Sequence, residues 1–244
     1  MADTKAHQRY RTEAGLIVPG VTTVLGLLNK PFLVPWAWKL GMEGIDYRKV
    51  TDKAANIGTI THYLVECHLT GVHPDPAELA TYSQANLEQA DVAYHKFEAW
   101  YKEKGFSTFK CTDMDGNKVV TAEVKLVHEG LLYGGAIDAI VKNPAKQTIM
   151  LDIKTSKGIY DEHRYQLAAY WELWDFNNPK DKLDEAYLVH LDRETGDIGF
   201  HNLGHPVMEY QIFEHLRAIY HLQKGTDKHR NNDRKYRFKR PVDA

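Results

Sequence analysis

Two apolar runs five residues apart constrain this chain more than any other feature. Residues 135–142 read GAIDAIVK and residues 148–155 read TIMLDIKT, with Asn143-Pro144-Ala145-Lys146 between them. The runs are short, rich in β-branched residues and joined by turn-forming residues, which predicts two strands of a hairpin. Each run nevertheless carries charge: Asp138 in the first, Asp152 and Lys154 in the second. Residues two apart on a strand point to one face. Asp152 and Lys154 therefore project together, and the hairpin brings Asp138 beside them. An exposed strand face with a weak ion pair is the ordinary explanation of such alternation. Ile149, Met150, Leu151 and Ile153 argue against it, because charges in so apolar a strand need a reason to be there.

Two convergent carboxylates suit a hard divalent cation that prefers oxygen ligands, Mg²⁺ or Mn²⁺, and the intervening carbonyl of Ile153 is placed to complete such a site. A lysine beside that ion has a separate task. Its ammonium holds an attacking water or offsets charge that grows on a phosphate, and burial there lowers its pKa.

Around the hairpin, hydrophobic periodicity predicts helices at 52–69 and at 83–104, the second with Ser83 as N-cap and Leu87, Ala90, Tyr94, Phe97 and Tyr101 as its stripe. Period-two runs predict strands at Phe106–Cys111 and Val119–Val127 around the turn 113–117, and at Asp184–Asp192 and Asp197–Leu203 around the turn 193–196. Ile159–Phe176 and Pro206–Gln223 read as helices, the last with Val207, Ile212, Leu216 and Ile219 facing the core. Residues 1–20 read as irregular, Val21–Leu28 as a short helix or strand that ends at Pro31 and Pro35, Trp36 and Trp38 as packed residues, and Lys228–Arg240 as a flexible basic tail. Helices, then a strand meander, then helix, strands and helix make an α/β fold with a central mixed β-sheet flanked by helices. Neither GxGxxG nor GxxxxGK[ST] occurs, so no nucleotide-binding loop is expected.

Composition excludes several classes. The 244 residues suit a single domain, with 1–50 as N-terminal helical decoration and 225–244 as a tail. No apolar run is long enough for a membrane, and the polar opening MADTKAHQRYRTEAG lacks a signal peptide core, so the expected location is cytoplasmic. Cys67 and Cys111 are the two cysteines, too few for an iron–sulfur cluster within the chain and best read as free thiols. A net charge of -2 is not that of a histone-like protein, yet a near-neutral enzyme can still line a groove with cations. His201 and His205 lack partners at zinc spacing and read as turn residues.

The segments GGAID, LDIKTSK and QLAAY together resemble the RecB-type branch of the PD-(D/E)XK nuclease superfamily. Five elements stand in that branch's order: GxxxH at Gly58 to His62, a glutamate at Glu123, GxxD at Gly135 to Asp138, (D/E)xK at Asp152 to Lys154, and QxxxY at Gln166 to Tyr170. The opening VPGVTTVLGLLNKPFLVPWAWK is similar to the start of phage-type members and of the mitochondrial genome maintenance exonuclease. The resemblance implies a restriction-endonuclease-like core and, in the host cytoplasm if phage-encoded, a Mg²⁺-dependent DNA exonuclease of recombination, repair or processing. It implies that Lys154, Asp152, Asp138, Glu123, Gln166 and Tyr170 are catalytic and that His62, Asp138, Asp152, Ile153 through its carbonyl, and Glu123 hold metal. Some relatives carry a cysteine-bound cluster; this chain cannot.

Helical spacing agrees, since Gly58 and His62 share a face, as do Gln166 and Tyr170. The expected partner is DNA, and residues 21–70, with Trp36, Trp38, Tyr47 and several cations, are expected to enclose one strand from its free end. Competing readings are a structure-selective endonuclease, an inactive DNA-binding module of the same fold, and an unrelated α/β binding domain.

Overall fold

The computed structural model describes residues 9–112, 117–192, 195 and 197–237, with 227–237 for backbone only. The described residues begin with a small hairpin, β1 (Tyr10–Arg11) and β2 (Ile17–Val18), followed by helices α1 (Val21–Leu25), α2 (Leu33–Met42), α3 (Tyr47–Thr70), α4 (Pro76–Leu79) and α5 (Gln84–Glu103). Strands β3 (Ser107–Thr108), β4 (Lys110–Thr112), β5 (Lys118–Val120), β6 (Ala122–His128), β7 (Tyr133–Lys142) and β8 (Thr148–Lys154) come next. Helix α6 (Asp161–Asn177), strands β9 (Glu185–Leu191) and β10 (Ile198–Asn202), and helix α7 (Val207–Arg237) complete it.

The central sheet runs β10-β9-β8-β7-β3, and β6 shares the β3 edge of β7. The β7–β8 hairpin is antiparallel and β8 runs parallel to β9, so the sheet is mixed as the strand order predicts. One face packs on α1, α6 and α7 through Ile140, Met150, Leu188, Leu167, Trp174 and Phe213. The other packs on α3 and α5 through Val141, Ile149, Ile153, Val65, Phe97 and Trp100. The architecture is α/β with helices on both faces of one mixed sheet, consistent with a restriction-endonuclease-like core.

Several expectations need correction. The two runs at 106–111 and 119–127 each split in two. Thr121 is fully buried and donates through its hydroxyl to the carbonyls of Phe109 and Ile140, which redirects both strands and sends β4 and β5 into a separate two-stranded ribbon. Residues 113–116 of the turn between them, and 193, 194 and 196 of the turn before β10, lie outside the described residues. Residues 9–20 are not irregular: β1 pairs with β2, and Gly134 donates its N–H to the Pro19 carbonyl. The Tyr10 ring lies so close to Gly134 that a Cβ there would stand 2.5 Å from it. Helix α3 starts five residues before the predicted 52, because Asp46 caps it by accepting from the Arg48 N–H. Pro35 falls in the first turn of α2, where a missing N–H costs nothing.

Helix α7 carries two stripes at helical spacing, and the aromatic one is inside. Phe213 is fully buried with Tyr210, Leu216 and Tyr220 around it, whereas Val207, Ile212 and Ile219 are exposed. The helix continues through Arg237, so the backbone of the basic segment is helical that far rather than a flexible tail. No described helix is long and apolar enough to cross a membrane.

Candidate active site

The site forms where the β7–β8 ladder gives way. Ala139 pairs with Leu151; one step further Asp138 and Asp152 oppose each other, and there Asp138 Oδ2 accepts from the Ile153 N–H at 2.6 Å in place of a ladder bond. On the far side of β7, Glu123 sits between the pairs Ala122–Ala139 and Val124–Ile137 with φ 50°. A glutamate in the left-handed region within a strand is strained by about 1–3 kcal/mol, a cost typical of functional positions. The twist swings its carboxylate toward Asp138. Helix α3 supplies the last wall. Gly58 lies against the Thr155 hydroxyl, 3.2 Å from where a Cβ would stand, and this close approach lets His62 reach the strands.

His62 Nε2 is 3.0 Å from the Ile153 carbonyl, and Nδ1 is 3.2 Å from Glu123 Oε1 and 3.4 Å from Asp138 Oδ1. One ligand atom each from His62, Glu123 and Asp138 falls within 4.8 Å of the others. Asp152 stands beside this group, with its Oδ2 2.7 Å from Lys154 Nζ. Its side chain is 1% exposed, with Oδ2 held by that ammonium and Oδ1 buried without a partner. The predicted His62, Glu123, Asp138, Asp152, Ile153 and Lys154 are thus all brought together.

Charge in this space is tightly coupled. Burial pushes the Asp152 carboxyl up to about 6, against the pull of Lys154. Burial acts upward on Asp138 as well, but His62 outweighs it and the net shift is downward. Burial would lower His62, yet Asp138 and Glu123 raise it well above its ordinary value. Lys154 corrects the expectation of a depressed lysine: burial acts in that direction, but Asp152 and Asp138 outweigh it and hold the ammonium above its usual pKa.

Gln166 and Tyr170 approach from α6. Gln166 Nε2 donates to Tyr170 Oη at 2.7 Å, so the two bond each other. A Cβ on Gly135 would stand 2.5 Å from the Tyr170 ring, so this glycine admits the tyrosine to the sheet. Glu129, the next acid along the chain from Glu123, instead accepts from the Glu13 N–H and takes no part. His205 stacks on Trp171 at 4.7 Å, in keeping with a structural role for that histidine. A cleft of about 650 Å³ opens beside His62 and Glu123, with Tyr10, Thr22, Thr23 and Tyr63 in its walls.

No family model matches this chain. No curated protein matches it in sequence. Among solved structures, SSO0001 is similar with 19% identity over 66% of this chain and 71% of that one, TM-score 0.31. A protein from Eubacterium rectale, provisionally named an exonuclease, is similar with 16% identity over 71% of this chain and 68% of its own, TM-score 0.45. Likenesses this distant say nothing about chemistry, which rests on the residues above.

One neighbour of the site escaped the sequence reading. His163 shares an α6 face with Gln166 and Tyr170, accepts from the Tyr160 N–H at Nδ1 (3.2 Å), and is 9% exposed. Burial, then Lys154, Lys30 and His190, hold its pKa down to about 3. The unfolded chain therefore binds a proton here between about pH 6.5 and 3 that the folded chain refuses, so this residue's share of stability falls as pH drops through that window. His163→Asn, which keeps an acceptor, should lose less melting temperature than the parent between pH 7 and pH 4. Parallel melting curves across that range would contradict this.

Proposed function

We propose that the chain is a metal-dependent nuclease that hydrolyses phosphodiester bonds in DNA, acting at the free end of a single strand. The observation that carries this is the donor set. A histidine, two carboxylates and a carbonyl converge, and beside them Asp152 is buried with its Oδ2 on the Lys154 ammonium and its Oδ1 without a partner. Three carboxylates gathered this closely, with one buried oxygen unpartnered, are costly unless further positive charge completes the set. The set is oxygen-rich and free of thiolates, which fits Mg²⁺ or Mn²⁺.

His62, Glu123, Asp138, Asp152 and the Ile153 carbonyl would hold the ion. When bound, it supplies Lewis acidity toward a phosphoryl oxygen and lowers the pKa of water. Lys154, kept protonated by Asp152 and Asp138, offsets negative charge that grows on the phosphate. Tyr170, pinned by Gln166 and Gly135, walls the site and limits water. The inactive-module reading loses ground because the Asp152–Lys154 pair is intact.

The finer claim, a single strand with a free end, rests on α2, which buries none of its residues and leaves Trp38 67% exposed. Packing was the expected role of Trp38; here it is free to stack on a base. The test of the chemistry is metal removal. EDTA should abolish cleavage of linear single-stranded DNA and Mn²⁺ should restore it; undiminished cleavage in EDTA would overturn the proposal.

A further inference from the structure

The opening hairpin, which reads as irregular in sequence, brings one more polar side chain to the site. Tyr10 stands on β1, and β1 lies against β6 and β7, the strands that carry Glu123 and Asp138. The hairpin is fixed there at both flanks. Gly134, bridged to Gly20, donates its N–H to the Pro19 carbonyl, and Glu129 accepts from the Glu13 N–H. The Tyr10 ring fills a slot between the two glycines. A Cβ on Gly134 would stand 2.5 Å from its Cγ, and one on Gly20 would stand 3.0 Å from Cε2 on the other edge. Only glycine admits a ring this close to the backbone. Held at both edges, the ring has little room to turn.

This half-buried side chain lines the cleft of about 650 Å³ beside His62 and Glu123. Its phenol lies near enough to Glu123 and Tyr170 for charge to act between them, and burial, then Glu123, push its pKa up. A phenol with the ordinary pKa of about 10 is already protonated at neutral pH, so Tyr10 offers the cleft a donor. Packing between the glycines would be met equally by phenylalanine; the hydroxyl serves the cleft. Arg9 adds a guanidinium to the same wall.

We propose that Tyr10 contacts the substrate, its hydroxyl donating to a backbone phosphate that lies in this cleft next to the phosphate at the metal cluster. This rests on the reading of the site as a DNA nuclease, and it adds to that site a residue outside the metal donors. A donor to a phosphate that does not react binds substrate and transition state alike, so it lowers KM and leaves kcat alone. That division of labour separates Tyr10 from Lys154, which acts on the reacting phosphate.

The test is binding of a short labelled oligothymidylate in Ca²⁺, a hard cation for the same oxygen donors, beside steady-state cleavage in Mg²⁺. Tyr10→Phe keeps the ring in its slot. It should bind the strand roughly ten- to a hundredfold more weakly, the usual effect of one hydrogen bond to a charged group, and raise KM to match. Its kcat, Mn²⁺ affinity and melting temperature should stay near the parent's. Strands with a single methylphosphonate, moved along position by position, identify the linkage. At one position the parent should lose affinity that Tyr10→Phe does not lose further. Parent-like affinity in Tyr10→Phe, or equal methylphosphonate losses in both proteins at every position, would overturn the proposal. So would no binding by the parent, or weakened Mn²⁺ binding with DNA affinity unchanged at saturating metal, which would make the hydroxyl a support for Glu123. Binding that depends on Tyr10 without cleavage in Mg²⁺ keeps the tyrosine contact and removes the nuclease reading.

Discussion

Lys154→Ala should lower the single-turnover rate of DNA cleavage by roughly a hundredfold or more, since removal of one preorganised electrostatic stabiliser typically costs that much. The same change leaves Asp152 buried without its ammonium, 2.7 Å away in the parent. Removing one partner of a buried pair is destabilising, so the metal-free variant should also melt at a lower temperature. A saturating divalent ion should return part of that stability, because it supplies positive charge to the same carboxylate. The two readouts separate chemistry from folding: a variant rescued in melting by Mn²⁺ must still be slow. A well-folded Lys154→Ala protein that turns over near the parent rate would remove this lysine from the mechanism.

Asp138→Asn should weaken Mn²⁺ binding by at least 10–100-fold in calorimetric titration, since changes to groups that merely support metal ligands already cost about that much. The substitution is conservative for the fold. An amide oxygen can still accept from the Ile153 N–H, bonded at 2.6 Å in the parent, so melting should change little. What changes is the atom turned toward His62 and Glu123, which becomes a donor where an acceptor stood. Unaltered Mn²⁺ affinity would place the ion elsewhere.

The chemistry of the site was legible in sequence where it depended on period. Strand alternation alone put Asp152 and Lys154 on one face, and four turn residues put Asp138 on the neighbouring strand. Positions that depended on backbone departures from regular structure were legible only through resemblance. Glu123 reaches the cluster because its φ is 50°, which no alternation pattern encodes. His163 gave one signal, its spacing of three and seven residues from Gln166 and Tyr170, but its lowered pKa depends on burial and on Lys154, Lys30 and His190, which lie outside the helix.

Fold details failed for a related reason. Helix α7 offered an aliphatic and an aromatic stripe, both at proper spacing, and only the shape of the groove over β7 and α6 selects Phe213 over Ile212. The single residue Thr121 divides two predicted strands into four because its hydroxyl satisfies two carbonyls at once. The opening residues 9–25 read as peripheral, but their contact with Gly134 could not be foreseen without knowing which part of β7 lay uncovered.

The most direct measurement of the central claim is the size distribution of products from end-labelled linear DNA, single- and double-stranded, incubated with the protein and Mg²⁺. The account predicts progressive shortening of the single strand from an end, with the duplex cut more slowly. Internal fragments without end dependence would convert the proposal to an endonuclease with the same residues. No broken phosphodiester bond in either DNA, with Mg²⁺ or with Mn²⁺, would contradict the reading of His62, Glu123, Asp138, Asp152 and Lys154 as a nuclease centre.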